Sequence, residues 1–179
     1  MLNLRFHSQS HLPVKQETAN RRIGVKSMPR DKFQTLTYKI RRFRKDDTPE
    51  VLELANKHAA FDGTTSEEGL ATNFPRGSWV AEDEGRPAGF AVGCFRDVPS
   101  EVLARWKATR VGHVTLMAVA PSHRRRGVGN ALLARLLEAF KAAGADMVLL
   151  DCPVEAVDAK RLYERMGFEP RFYGMWKRL

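Results

Sequence analysis

Two cysteines in 179 residues, Cys94 and Cys152, are too few and too far apart for a disulfide framework or a paired-thiol metal or redox site. Both lie among apolar neighbours and are expected to be buried thiols in a reducing compartment. The five histidines, His7, His11, His58, His113 and His123, lack the spacing of a metal site, and no metal is assigned. No run reaches the roughly 20 apolar residues that a membrane-crossing helix needs. Residues 1–15 carry neither the apolar segment nor the small-residue cleavage site of a secretion signal. These absences lead to the expectation of a soluble, cytoplasmic protein with no membrane partner.

Charge is plentiful, at a net +9. Residues 1–33 hold seven Lys/Arg against two Asp/Glu, so over half of the excess sits in a segment rich in Ser, Gln, Asn and Pro. With no sustained hydrophobic period, it reads as a flexible basic leader. It lacks the long amphipathic Arg/Ser stretch of an organellar targeting peptide, and Met28 is an alternative start. Residues 34–179 are only mildly basic and read as a single domain. That balance suits an anionic ligand, a nucleic acid or simple solubility equally. The interleaved exposed aromatics of a single-strand binder are missing, so nucleic acid is not the expected partner. A homodimer is the base-rate expectation for oligomeric state.

The hydrophobic pattern predicts an α/β domain. A short strand is expected over Phe33–Ile40. Thr48 is expected to cap a helix with Pro49 in its first turn and Glu50 at its positive end. Trp79–Ala81 and Phe90–Val92 flank an acidic, glycine-bearing turn, the signature of a hairpin, with Glu82 and Glu84 read as turn residues. A short helix is expected within 97–110. Val111–Val119 reads as a strand with His113 and Thr115 on one face. Val128–Ala143 has helical spacing and is ended by Gly144. Met147–Leu150 is an apolar strand, Ala156–Met166 a second helix closed by Gly167, and Phe172–Trp176 late strand material.

The most informative stretch runs from Leu116 to Asn130. An apolar strand meets Pro121, which cannot continue a ladder, then three arginines, then Gly127 and Gly129 at the start of a helix. The glycines allow a tight turn and close approach of a ligand to the backbone. The free N–H groups of the first helical turn, with the helix dipole, make a site for a diphosphate. No Lys–Ser/Thr follows the glycines, so this is not a P-loop. Nor is it the GxGxxG dinucleotide fingerprint, because Asn130, Ala131 and Leu132 follow Gly129. The same residues also fit a plain basic turn ahead of a glycine-started helix.

Arg124–Arg125–Arg126–Gly127–Val128–Gly129 resembles the R/Q-x-x-G-x-G/A signature of the GNAT superfamily of N-acyltransferases. It follows Val119–Ala120–Pro121, as is usual in that family. Ala159 to Phe168 resembles a second family element, A-x-x-L-Y-x-x-x-G-F, in the right order and at the right separation. The two cover about a third of the chain. The resemblance implies a mixed, mostly antiparallel sheet flanked by helices on both faces, with splayed central strands at 116–119 and 147–151. It implies an N-acetyltransferase domain over 34–179 that moves an acetyl group from acetyl-CoA to a primary amine through a tetrahedral intermediate.

By the same resemblance, the backbone at Ala118 and Val119 holds the pantetheine arm. Residues Arg124, Arg125, Arg126, Gly127, Val128, Gly129 and Asn130 surround the pyrophosphate, and Ala159 lies beside the cofactor. An asparagine common three residues before that alanine is replaced by Ala156, which removes one expected contact. Tyr163 is implied as the acid that protonates the departing thiolate, and a backbone N–H near Val119 as the oxyanion donor. For the base, His113 has a suitable intrinsic pKa and Asp151 ends the next strand; each is also readable as an ordinary strand residue.

The acceptor is expected among residues 61–77, 97–110 and 170–176. Phe61, Trp79, Phe95, Trp106, Phe172, Tyr173 and Trp176 line it or, as the base rate favours, pack the core. Glu67, Glu68, Glu155 and Asp158 are available to attract a cation. The alternatives are a catalytically silent GNAT-like protein that binds CoA or a partner, and a basic nucleic-acid binder.

Overall fold

The computed structural model describes residues 38–59, 65–68, 70, 77–175 and 177–178. The basic leader, Phe61, Trp176 and the first part of the predicted opening strand lie outside these residues. In chain order the elements are β1 (Lys39–Arg42), α1 (Thr48–His58), β2 (Trp79–Asp83), β3 (Arg86–Arg96), α2 (Ser100–Trp106), β4 (Val111–Val119), α3 (Val128–Ala142), β5 (Met147–Leu150) and α4 (Val157–Arg165). The strands form one sheet in the order β1-β2-β3-β4-β5. Every neighbouring pair is antiparallel except β4 and β5, which run parallel.

The pleat sends alternate side chains to two cores. Val80, Phe90 and Val92 face one side and bury Val51 and Ala55 of α1. Ala81 and Ala91 face the other and meet Val128, Leu132, Leu133, Leu136 and Phe140 of α3. That buried stripe is the one the helical spacing predicted. The β2–β3 hairpin closes on Glu84 and Gly85, at φ 48° and 79°. Two central residues with positive φ match the right-handed twist of the strands they join. Gly144 ends the α3 region at φ 86°, as expected of a residue that must leave the helix left-handed.

One irregularity shapes everything that follows. Val92 pairs with Leu116 while Gly93 pairs with Val114, so Thr115 is an extra residue bulged out of β4. Its hydroxyl donates to the Val92 carbonyl at 3.2 Å. The bulge resets the alternation. Val114 belongs to the α3-side core, whereas Leu116 and Ala118 pack on the α1 side. The alternation that would set His113 and Thr115 on one face therefore ends at Thr115.

Thr48 is the first residue of α1 rather than its cap, and its hydroxyl donates to the Lys45 carbonyl at 2.6 Å. A short 3-10 turn, Lys45–Asp47, precedes it and places Asp47 at the cap position. No strand forms over the described residues 168–175; Phe172, Tyr173 and Met175 stand exposed, without a strand partner. The two cysteines are half-buried, and burial pushes both thiols above their usual range.

Asp47 is drawn to its place by Arg41. The two form a buried bidentate pair, with both nitrogen–oxygen distances 2.7 Å, and Arg41 also pairs with Glu82. Glu82 thus belongs to β2 and not to the turn. Burial pushes the Asp47 carboxyl up, but the Arg41 guanidinium and the Arg44 N–H outweigh it and hold the group below the usual carboxylate range. Its folded pKa is depressed, so the stabilisation is present above pH ~4 and is lost as pH falls through the folded value. Arg41→Met should cost about 3–5 kcal/mol, because it strands a buried carboxylate. Thermal unfolding should show that loss at pH 7, and a smaller difference from wild type at pH 3.

Candidate active site

The loop between β4 and α3 is built so that its amides stay bare. The Ala120 N–H donates to Ala88 at 2.8 Å and is the last link to β3. Pro121 opens a single 3-10 turn, Pro121–His123, and the chain then reverses through Arg125 at φ 62° and Gly127 at φ 82°. Among the described residues, none of the amides from Arg125 to Asn130 makes a close, well-aligned hydrogen bond, and no side chain caps α3. The positive end of a 15-residue helix is therefore open to an anion.

The three arginines have different surroundings. The Arg124 Nε–H donates to the Val119 carbonyl at 2.9 Å. Arg125 reaches Asp158 on α4 at 3.2 Å, both side chains being exposed. Asp158 is thus engaged by this loop, and not held free for a cation. Arg126 is exposed beside the bare amides. Gly129 sits against α4. A methyl group there would lie 3.2 Å from Leu162 Cδ2, with Met117 Cε and Val119 Cγ2 just beyond at 3.8 and 3.9 Å.

Next to this loop the sheet comes apart. The parallel ladder pairs Val111–Val114 with Met147–Leu150 and goes no further. It ends one residue before the bulge at Thr115, so the β5-facing edge of β4 from Thr115 to Val119 has no strand partner among the described residues. The divergence predicted for 116–119 and 147–151 is present. An unpaired strand edge needs hydrogen-bond partners, and an extended amide-bearing ligand offers them.

Past the end of β5 lie Asp151 and Cys152, and α4 returns alongside. The Tyr163 ring on α4 is half-buried and meets Phe168 edge-on, with centroids 6.0 Å apart. Burial, with a smaller contribution from Cys152, pushes the phenol up to about 12. The hydroxyl therefore keeps its proton throughout the neutral range. His113 Nε2 lies 3.2 Å from Asp151 Oδ2. The two candidate bases, weighed separately in the sequence, are hydrogen-bonding neighbours. The imidazole is 19% exposed and the carboxylate 89%. Ala159 is half-buried on α4, and Ala156, at the start of that helix, supplies no side-chain cap.

The aromatic residues considered for an acceptor pocket mostly pack elsewhere. Phe95 stacks edge-on against Phe140 and carries the Arg110 guanidinium 3.7 Å above its ring. Trp79 packs on the α3-side core under Arg42. Trp106 pairs with Phe172 at 6.2 Å, and Arg171 lies over both rings. Tyr173, Glu67, Glu68 and Glu155 are exposed. Sequence reading missed one contact of the loop altogether: His123 Nε2 lies 2.8 Å from Asp83 Oδ2 at the end of β2. No local pattern signals a pair separated by forty residues.

A mixed sheet whose parallel strands part beside a glycine-opened, uncapped helix is the architecture of an N-acyltransferase of the GNAT type. The chain belongs to the acetyltransferase (GNAT) family, whose profile matches residues 38–168. It is 32% identical over 145 residues to an uncharacterized N-acetyltransferase of Methanocaldococcus jannaschii, covering 75% of this chain and 62% of that protein. It spans 45% to 62% of the length of three curated relatives that it matches. In fold it resembles an aminoglycoside N-acetyltransferase in complex with CoA, with TM-score 0.63, 21% identity, and 79% and 94% of the two chains covered. It also resembles the NatC complex bound to Gag peptide and CoA, with TM-score 0.66, 18% identity, and 75% and 86% covered. Among the described residues no helix is long and apolar enough to cross a membrane.

Proposed function

We propose that residues 34–179 act as one N-acetyltransferase domain that moves an acetyl group from acetyl-CoA to a primary amine. The observation that carries this reading is the run of six amides, Arg125 to Asn130, that make no close hydrogen bond among the described residues, beside the β4 edge that has no strand partner among them. A diphosphate fits the first, and the amides of a pantetheine arm fit the second. Family membership supplies the donor. The similar proteins act on, or are bound to, acceptors as different as an aminoglycoside and a peptide, so the proposal stops at the amine.

Each residue then has one task. The backbone N–H near Val119 donates to the carbonyl oxygen as negative charge develops on it. Tyr163 holds a proton at Oη for the sulfur that leaves when the carbon–sulfur bond breaks. His113, steadied by Asp151, takes the proton that the amine sheds on forming the new carbon–nitrogen bond. Asp151 is exposed enough to pass it on to water. The sum is one amide and one free thiol from one thioester and one amine, with no redox change.

Calorimetric titration with acetyl-CoA, followed by an amine panel read as released free thiol, tests the reading. One-to-one binding and thiol release with at least one amine are expected. Binding without release across the panel would favour a catalytically silent relative.

A further inference from the structure

We propose that His123 and Asp83 form a tether that positions the diphosphate loop, making both positioning residues for acetyl-CoA. The inference rests on the site reading above and adds to it a role for two residues outside the family motif.

The contact is specific in its chemistry. Asp83 Oδ2 and His123 Nε2 are 2.8 Å apart, and His123 Nδ1 is 2.9 Å from the Ser122 hydroxyl. A carboxylate only accepts, so Nε2 must carry the hydrogen that it donates to Asp83. Nδ1 is then free to accept the Ser122 O–H. Both ring nitrogens are used, and the ring orientation is fixed.

The position is what gives the contact consequence. His123 closes the 3-10 turn that delivers the chain to Arg124, and Asp83 ends β2 next to the hairpin turn. The loop has few other holds. His123 N–H to Ala120 and Arg124 N–H to Pro121 are local to the turn itself. Arg124 reaches back only to Val119. Arg125–Asp158 bridges to another element, but with side chains 80% and 73% exposed, and such surface pairs contribute little. His123 and Asp83 are 19% and 25% exposed. Among the described residues, theirs is the shielded side-chain bridge from this turn to the sheet. Six bare amides bind a diphosphate well only if they already point the right way, because ordering a loose loop on binding opposes affinity.

The test uses the full chain. His123→Ala, Asp83→Ala, the double variant and Asp83→Asn are titrated with acetyl-CoA, and kcat is measured with saturating acetyl-CoA and any amine that turns over. Each alanine variant should raise the acetyl-CoA Kd about tenfold. The double variant should lose less than the sum of the two single ones, since the two share one interaction. Asp83→Asn keeps an acceptor for Nε2–H and should stay within threefold of wild type. Saturated kcat and the amine KM should stay within twofold, a split that a general loss of structure would not produce. If His123→Ala does not fold, Asp83→Ala and Asp83→Asn carry the comparison. Wild-type Kd in the folded alanine variants, additive losses in the double variant, or a fall in kcat as large as the rise in Kd would overturn the tether. Wild-type protein that does not bind acetyl-CoA would overturn the site reading along with it.

Discussion

Tyr163→Phe is expected to lower kcat by about 100-fold or more while leaving the acetyl-CoA Kd within twofold. The size is that of a lost general acid. The ring would keep its place, because it is held by packing against Phe168 and the α3-side core and not through the hydroxyl. Only the proton at Oη is removed. A phenol near 12 is a reluctant donor to a thiol of reference pKa about 8.5. Yet the burial that lifts Tyr163 also lifts the neighbouring Cys152 thiol. A thiolate placed there meets the same loss of water, so the mismatch narrows where the transfer takes place. The pH profile carries its own sign. Tyr163 stays protonated until the pH approaches 12, so wild-type kcat should not fall on the alkaline side below about pH 11. An alkaline limb near pH 9–10 that vanishes in Tyr163→Phe would mean the phenol titrates lower and works in another way. Unchanged turnover in the variant would remove Tyr163 from the reaction.

Replacing Gly127 and Gly129 together by valine should raise the acetyl-CoA Kd by about 100-fold or more. The two substitutions act by different routes, and the single variants separate them. Gly127 has room around it; the nearest atom to an added Cβ is the Tyr38 hydroxyl at 3.7 Å. Its difficulty is the backbone, since φ 82° is a conformation that β-branched residues strongly avoid. Valine there should swing the amides of 126–128 away from their common direction. Gly129 has an ordinary helical backbone but no room: its Cβ would already press on Leu162, and the branches would meet Met117 and Val119. Valine at 129 should push α4 outward and carry Tyr163 with it, so that variant should lose kcat as well as affinity. Some loss of stability, of order 1–3 kcal/mol, is expected from the overpacking. Calorimetry on protein shown to be folded decides the matter. Undiminished binding in the double variant would mean that the ligand does not approach this turn.

Much of this could be read from the sequence where local chemistry and tertiary need agree. The β4 span was legible because an apolar, β-branched run stops at a proline. The α3 stripe was legible because Val128, Leu132, Leu133, Leu136 and Phe140 repeat at helical spacing and all face one sheet. The bulge at Thr115 was not. Leu116–Met117–Ala118–Val119 is apolar on both faces, so no change of alternation marks where the pleat slips. The pattern marked Thr48 as the cap; the buried pair of Asp47 with Arg41, across the strand-to-helix turn, sets the cap position at Asp47 instead. His113 lies on β4 and Asp151 just past the end of β5, and the parallel register of the two strands brings them within 3.2 Å of each other. The apolar pattern of Phe172–Trp176 is real, but the described part of it pairs with no strand of the sheet.

The extra residue at Thr115 has a consequence for how length variation can be borne. Downstream of it, Leu116 and Ala118 line the α1 side, while Met117 and Val119 line the side of α3 and α4. Losing or gaining one residue between Leu116 and Val119 would exchange those two linings beyond the change. A methionine would then be driven into the space cut for an alanine. One residue more at the Glu84–Gly85 tip would lengthen a surface turn and leave both linings in place. Insertions in this chain should therefore be tolerated at the hairpin tip and excluded from the four residues Leu116 to Val119.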